Sequence, residues 1–383
     1  MTDSIVIIGS GFAAYQLVKA IRRGDQTCPI HVFTANDGSD YNKPDLSHVF
    51  SRQQRAEDLV RQSGEAFAQE QQVTLHAHCP VEAIDPVAKT VTASGVSYAY
   101  GKLVLATGAR AFIPPMEGDG VHTVRTLNSL EEYRYSQDAL LAASHVTVIG
   151  AGLIGAELAM DFATSGKHVT LVDPAASIMA SLLPETVAHK LEKVMTQMGI
   201  TLALGDHIQR IDTQPDNHLE PHVRVTLASG RSFDSSQVIA AAGLVPNTAL
   251  AIQTGLQTGR GIVVDSQLQT SCADIYALGD CAEINGQVMA YLQPALLSAN
   301  ALAKTLLGTP TAVVLPPMLV KVKTPHYPIQ LSGHNVLGAH RWQVDLDSTG
   351  TTCQTFDEEG KAQGFVVTEQ HLPKAFTLLN ALR

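Results

Sequence analysis

Long apolar runs, paired cysteines, aromatic rings and positive charge are what this chain has little of. No apolar stretch reaches the roughly 18 residues that a membrane helix needs. The opening "SIVIIGSGF" is too short for a signal peptide and lacks the charged flank of one. No membrane partner and a cytoplasmic location are therefore expected. Aromatic residues make up only 5% of the 383, with a single Trp. The five cysteines (Cys28, Cys79, Cys272, Cys281 and Cys353) are scattered without a CxxC pair, which reads as reduced thiols rather than a disulfide framework. Lys and Arg number 26 against 36 Asp and Glu, a net charge of −10 that disfavours binding to a phosphate backbone, so no nucleic-acid partner is expected. The acidity lies in the first 314 residues, with 20 basic against 30 acidic; the remainder carries six of each. No metal site is expected. His76 and His78 read as sharing one face of a strand beside Cys79 but have no spaced partners, and Pro221 spoils a helical pairing of His218 with His222.

Glycine is plentiful, with 29 residues, and the length suits two or three domains. The glycines fall at strand-to-helix turns. A β-rich run, Ile5 to Ile8, enters Gly9-Ser10-Gly11. A helix with Ala14, Leu17, Val18 and Ile21 on one face follows, and then a second strand from Ile30 to Phe33. The same strand, turn, helix and strand return in "HVTVIGAGLIGAELAMDFATSGKHVTLVD", 141 residues later. Two such units imply two nucleotide sites. "TVTASGVSYAY" and "VRVTLASGRSF" read as hairpins placed late in each half, which strengthens the case for a duplicated plan. "LLGTPTAVVLPPM" marks a linker. Beyond it, "RWQVDL" and "GFVVTE" read as strands and "LPKAFTLLNALR" as a helix, giving a small α+β domain.

The first turn has the form G-x-G-x-x-A, from Gly9, Gly11 and Ala14. Its first glycine permits the tight turn, the second lets backbone approach a pyrophosphate, and the small third residue lets helix and strand pack. The helix N-terminus then offers free N–H groups to the phosphates. A ribose-binding acid is missing from the tip of the second strand, where Thr34 and Ala35 stand; Asn36 and Asp37 come just after. The second turn is a full G-x-G-x-x-G, from Gly150, Gly152 and Gly155, with Asp173 ending "VTLVD" 23 residues after Gly150. There a carboxylate can accept from the ribose hydroxyls of NAD and would repel a 2′-phosphate, so NADH is expected over NADPH. The structural alternative for Asp173 is a turn or N-cap residue. Glu157 reads as an acid in the first turn of its helix, either offsetting the dipole or pointing at a nicotinamide carboxamide.

The two dinucleotide turns, the "ATG" run at Ala106-Thr107-Gly108 and the "TSCADIYALGD" segment ending at Asp280, in this order, resemble the two-dinucleotide-binding-domain flavoprotein reductases. "YNKPDLSH", "GDCAEING" and "VKVKTP" are similar to the rubredoxin reductase branch of that family. The resemblance implies an α/β fold of two Rossmann-like domains with a small C-terminal α+β domain. It implies a discontinuous FAD-binding domain over 1–112 and 238–312, an NAD-binding domain over 113–237 and the α+β domain over 313–383.

The implied cofactors are FAD, held tightly without a covalent bond, and NADH as electron donor. For FAD the resemblance implies contacts from Gly9, Gly11, Phe12, Ala14, Ala35 and Asn36. It places Lys43 near the isoalloxazine, Val81 at the adenine, Thr107 and Gly108 beside the cofactor, Asp280 at the ribitol, and Leu292 and Lys323 by the pyrimidine end. For NAD it implies Gly150, Gly152, Leu153, Ile154, Gly155, Glu157, Asp173 and Gly243. Lys43 and Glu157 are the residues expected nearest the chemistry. Asp280 is read as the N-terminal residue of a following helix, and Cys281 as a packing residue. No cysteine stands between residues 29 and 78, where the related disulfide reductases keep a redox pair, so no thiol relay is expected.

The resemblance further implies that electrons pass to an external rubredoxin-type carrier, rubredoxin or flavorubredoxin, the latter in the service of anaerobic nitric oxide detoxification. Reduction of a ferredoxin or rubredoxin for another pathway, such as a hydroxylase, is the enzymatic alternative. A flavin sensor switched by NADH is a more distant one. Docking of an acidic carrier calls for local cations, with Lys43, Arg52, Arg55 and Arg61 as one candidate set and Lys321 with Lys323 as another.

Overall fold

The computed structural model describes residues 4–214, 222–324 and 326–382, so that His218 and Pro221 of the histidine pair, and Pro325 of "VKVKTP", lie outside them. The chain divides into two compact units. The first comprises Met1–Lys43, Glu57–Arg110 and Leu244–Leu315, and the second Pro44–Ala56, Ala111–Gly243 and Pro316–Arg383.

The first unit is built on a five-stranded parallel sheet in the order Ile275–Ala277, Lys102–Leu105, Ile5–Ile8, Ile30–Phe33, Thr74–His76. Its central strands are near-continuous apolar runs because both of their faces are covered. Val6, Ile7, Val32, Leu103 and Val104 are fully buried. The helix Phe12–Gly24 turns Leu17, Val18 and Ile21 into this core and packs against the helix Leu292–Leu306. Each such aliphatic side chain contributes about 1.5–3 kcal/mol when taken out of water. Three antiparallel strands, Val81–Asp85, Thr90–Ala93 and Val96–Ala99, form the first hairpin layer.

The second unit repeats the plan. Four parallel strands lie in the order Ile200–Leu204, His168–Asp173, His145–Ile149, Gln237–Ala240, and the helix Leu153–Thr164 follows the central one. The strand Gln237–Ala240 crosses the boundary drawn at residue 238 from the sequence. An antiparallel layer of Ile208–Thr213, Val223–Leu227 and Ser232–Ser235 matches the hairpin of the first unit.

The C-terminal part of this unit is a five-stranded antiparallel sheet in the order Val320–Val322, Ile329–Gly333, Ala362–Thr368, Gly350–Phe356, Arg341–Asp347. Phe365 and Val367 pack under the helix Ala375–Ala381. That helix is shorter than the run 372–383 expected from its apolar pattern. Pro373 sits in a 3₁₀ turn, Glu369–Lys374, and the α-helix begins only after it. His76 ends the strand Thr74–His76, whereas His78 lies beyond it with φ +51°, so the two do not share a strand face. His76 instead stacks on Phe33 at 4.1 Å and meets His31 at 3.2 Å.

Candidate functional site

Each nucleotide turn is shaped by a backbone position that only glycine fills well. Gly9 has φ +117°, and a Cβ there would stand 2.2 Å from the Ala106 carbonyl oxygen; Gly150 has φ +101°, with a Cβ 2.6 Å from that of Ala241. In both cases helix, sheet and turn meet at van der Waals limits. The third motif positions follow suit: Ala14 is fully buried, and a Cβ on Gly155 would stand 1.8 Å from the Gly150 oxygen.

The second glycines differ in kind. Gly11 and Gly152 are N-caps in extended conformation, no side chain caps either helix, and a Cβ on either would meet nothing within 4 Å. Two helix ends with uncapped N–H groups, each fronted by open space, fit the pyrophosphates of two dinucleotides. Phe12 and Leu153 are the first helical residues behind these caps.

In the first unit the tip of the second strand is closed by hydroxyl and amide groups. Ser10 bonds Thr34 at 2.8 Å and Asn36 at 3.0 Å, and Asn36 also accepts from the Gly38 N–H at 3.0 Å. Ala35 stands exposed between them. Thr107 and Asn247 exchange a reciprocal pair of hydrogen bonds, each 2.8 Å, beside Gly108 at φ +65°. Asn247 carries no motif signal, and only its place after the "GLVP" turn could have drawn attention to it. Val81 opens its hairpin strand, and Leu292 opens the helix Leu292–Leu306, whose N-terminus has no side-chain cap.

Lys43 and Asp280, 237 positions apart in sequence, form an ion pair at 3.7 Å with both side chains partly exposed. Asp280 does not begin a helix. It sits in the 3₁₀ turn Gly279–Cys281, followed by the short strand Ala282–Ile284, a turn at Asn285 and Gly286, and only then the helix at Leu292.

Cys281 is fully buried, with its sulfur 3.4 Å from the carbonyl oxygens of both Leu105 and Leu278, and burial pushes its thiol pKa up. A protonated, enclosed thiol is no nucleophile. Among the described residues no cysteine forms a disulfide. Cys281→Ser keeps a donor for the same two carbonyls, and turnover is expected within about twofold of wild type because no chemistry passes through the sulfur. A steady-state assay at matched flavin content checks this; loss of turnover with flavin retained would contradict it.

In the second unit a cavity of about 660 Å³ opens at the nucleotide turn, lined by Gly152, Leu153, Ile154, Asp173, His207 and Gly243 among others. Asp173 ends its strand and accepts from the backbone N–H of Ala151 at 2.6 Å and of Ala175 at 2.7 Å. The turn role considered for it is therefore real, and Asp173 also lines the cavity.

Glu157 departs from the sequence reading. The helix begins at Leu153, which makes Glu157 its fifth residue rather than a first-turn acid, and it is 3% exposed. Ser47 donates its hydroxyl to Oε2 and the Lys323 N–H donates to Oε1, both at 2.9 Å. Burial raises the pKa of Glu157, with the two hydrogen bonds and the Lys323 charge opposing. Lys323 is itself half-buried, with its ammonium donating to the Pro44 carbonyl and its pKa lowered by burial. It is thus no free docking cation. Arg55 is engaged with Asp138, while Arg52 and Lys321 are exposed. Among the described residues no group of three or more His, Cys, Asp or Glu is placed to hold a metal, and no helix is long and apolar enough to cross a membrane.

Duplicated parallel sheets, each opening at a glycine turn onto an uncapped helix, define the class of α/β proteins with two dinucleotide-binding domains. The chain belongs to the pyridine nucleotide-disulphide oxidoreductase family, whose model matches residues 3–300, and residues 312–382 match the rubredoxin binding C-terminal domain. It is 53% identical over 382 residues to the nitric oxide reductase FlRd-NAD(+) reductase of Aliivibrio fischeri, covering 100% of this chain and 99% of that protein. It is 49% identical to the Escherichia coli O139:H28 protein of the same name, covering 100% of both. Among solved structures, the ferredoxin reductase for the CYP199A2 system of Rhodopseudomonas palustris superposes with a TM-score of 0.87 at 25% identity, over 98% of this chain and 93% of that one. The NADH:rubredoxin oxidoreductase of Clostridium acetobutylicum shares the fold, with a TM-score of 0.82 at 21% identity, over 99% of this chain and 94% of that one.

Proposed function

We propose that this chain is an NADH-dependent flavoprotein reductase that passes electrons to the rubredoxin centre of flavorubredoxin, in support of anaerobic nitric oxide detoxification in the cytoplasm. One observation carries the reading: a chain with two uncapped nucleotide turns ends in a rubredoxin-binding module, in the same order and over the same length as the FlRd-NAD(+) reductases. The first unit holds FAD tightly and without a covalent bond, the second holds NADH, and the C-terminal module meets the carrier.

FAD, when bound, supplies the step that neither nicotinamide nor protein can, taking electrons as a pair and giving them up singly. The protein's share is position and charge. Gly9, Gly11 and Ala14 shape the first cradle, and the helix end behind Phe12 faces the pyrophosphate. Ala35, Asn36 and Val81 border the adenosine, Thr107 and Gly108 flank the flavin, and Leu292 presents a helix end to it. Asp280 accepts from the ribitol hydroxyls, and Lys43, paired to it at 3.7 Å, places a cation where reduced flavin gathers negative charge. In the second unit Gly150, Gly152, Leu153, Ile154, Gly155 and Gly243 line the dinucleotide site, and Glu157 orients the nicotinamide carboxamide.

Asp173 accepts from the adenosine ribose. Asp173→Ala is expected to raise KM for NADH ~10-fold or more, the scale of losing hydrogen bonds to a charged acceptor, and to narrow the preference over NADPH. Initial rates with both nucleotides check this; an unchanged KM would leave Asp173 with its turn role alone.

The acceptor is tested by NADH-driven reduction of purified flavorubredoxin, rubredoxin and ferredoxin under one set of conditions. Flavorubredoxin should be reduced most efficiently. Faster reduction of ferredoxin would instead make the chain a ferredoxin reductase.

A further inference from the structure

The helix Leu153–Thr164 carries two acids, Glu157 and Asp161, one turn apart on a single face and only 3% and 4% exposed. Both are held by the same short piece of chain. Asp161 accepts from the Phe50 N–H at 2.8 Å and the Ser51 N–H at 3.3 Å, and Ser51 adds its hydroxyl. Three residues earlier in that piece, Ser47 donates to Glu157. The single proton of Ser47 has a second acceptor in reach, the Pro44 carbonyl at 3.1 Å, against 2.9 Å for the carboxylate. Where residues 47–51 sit therefore decides which acceptor takes it.

Phe50 adds packing to the anchor: its ring is buried, stacked on Phe162 at 3.9 Å and edge-on to Tyr133. Packing of this kind holds the segment near the helix, but it does not fix the hydroxyl of Ser47.

We propose that Asp161 is a positioning residue: by anchoring Phe50 and Ser51 it holds the Ser47 hydroxyl on Glu157, the carboxylate that orients the nicotinamide. The clause about the nicotinamide rests on the function proposed above; the anchoring rests on the bonds alone. Other charged groups facing this pair are few. Lys323 lies beside Glu157 and counters its burial. His48 lies 4.0 Å from Asp161, and burial holds its pKa down at about 4, so it is neutral through the working range. Arg52 acts on Asp161, and Asp45 and Arg52 on Lys323.

An asparagine at 161 offers one acceptor oxygen where two oxygens now receive backbone N–H groups, and its amide nitrogen would face one of those donors. The anchor loosens, Ser47 turns to Pro44, and Glu157 loses a donor that favours its ionised form.

The test is a ¹³C-NMR titration of the flavin-loaded protein with carboxyl-labelled glutamate, the Glu157 signal being identified by its loss in Glu157→Gln. Ser47→Ala should move the Glu157 midpoint upward, by on the order of half a unit; Asp161→Asn should move it upward by less, because it also removes a negative charge one turn away, which favours ionised Glu157. The double variant should move no further than the larger single one, because both act through one hydrogen bond. Ser51→Ala removes one donor and keeps the backbone contacts; it should shift the midpoint in the same direction by less, and it serves if Asp161→Asn does not fold. An unchanged midpoint in Asp161→Asn and Ser51→Ala, however far the melting temperature falls, would reduce Asp161 to a purely structural role. Additive shifts in the double variant would show that Ser47 is not the route. If the midpoints move as expected but Glu157→Gln is reduced by NADH as fast as wild type, the anchoring holds and the nicotinamide role of Glu157 falls.

Discussion

Gly11→Asp should give a folded protein that purifies without flavin and has no NADH-dependent activity. Gly11 has φ −74° and ψ 179°, ordinary extended backbone, and a Cβ there meets nothing. Asp is moreover among the favoured N-cap residues, so the helix Phe12–Gly24 gains a cap. On the proposed function, the carboxylate takes the helix N–H groups and sets a negative charge where the FAD pyrophosphate would bind. Absorbance at the flavin band relative to protein should fall at least ~10-fold, while the melting temperature stays close to that of wild-type apoprotein. A yellow Gly11→Asp protein with normal turnover would show that this turn does not bind the flavin.

The same change at the second turn should part the two cofactors. Gly152 has φ −71° and ψ −171°, and again a Cβ there meets nothing. Gly152→Asp should therefore fold, remain yellow and bleach with dithionite, yet be reduced by NADH at least ~100-fold more slowly, since a charge at the pyrophosphate both repels it and fills its place. Anaerobic mixing with NADH, followed at the flavin band, measures this. If Gly152→Asp lost its flavin and Gly11→Asp kept it, the assignment of the cofactors to the two units would be reversed.

What could be read from the sequence follows from how local the physics is. Gly9 and Gly150 announce themselves because a positive φ against a neighbouring carbonyl admits little else. The runs Ile5–Ile8 and Lys102–Leu105 are legible as strands because parallel sheets covered on both faces need unbroken apolar sequence. Reckoned from Gly155, Glu157 falls in the first turn; the helix starts at Leu153, so Glu157 is its fifth residue, on a buried face.

Asn285-Gly286 is a turn pair, with φ +51° and +74°, and it ends a short strand where a helix was expected. Asp161 and Ser51 could not have been paired from sequence at all. They stand 110 positions apart, and an Asp in a helix as apolar as "LIGAELAMDFAT" gives no hint of the backbone groups it receives. The ion pair of Lys43 with Asp280 is of the same kind: each residue could be singled out, but not their meeting.

On the proposed function, electrons enter from NADH and leave through a rubredoxin-type carrier. Stopped-flow absorbance of the flavin, without oxygen, measures both halves in one experiment. NADH should bleach the flavin, and a second mixing with oxidised flavorubredoxin should restore the colour at a rate no slower than steady-state turnover, while buffer alone restores it slowly. Bleaching by NADH followed by equally slow recovery with flavorubredoxin, rubredoxin, ferredoxin and buffer would contradict the account and leave a flavin protein that responds to NADH without passing its electrons on.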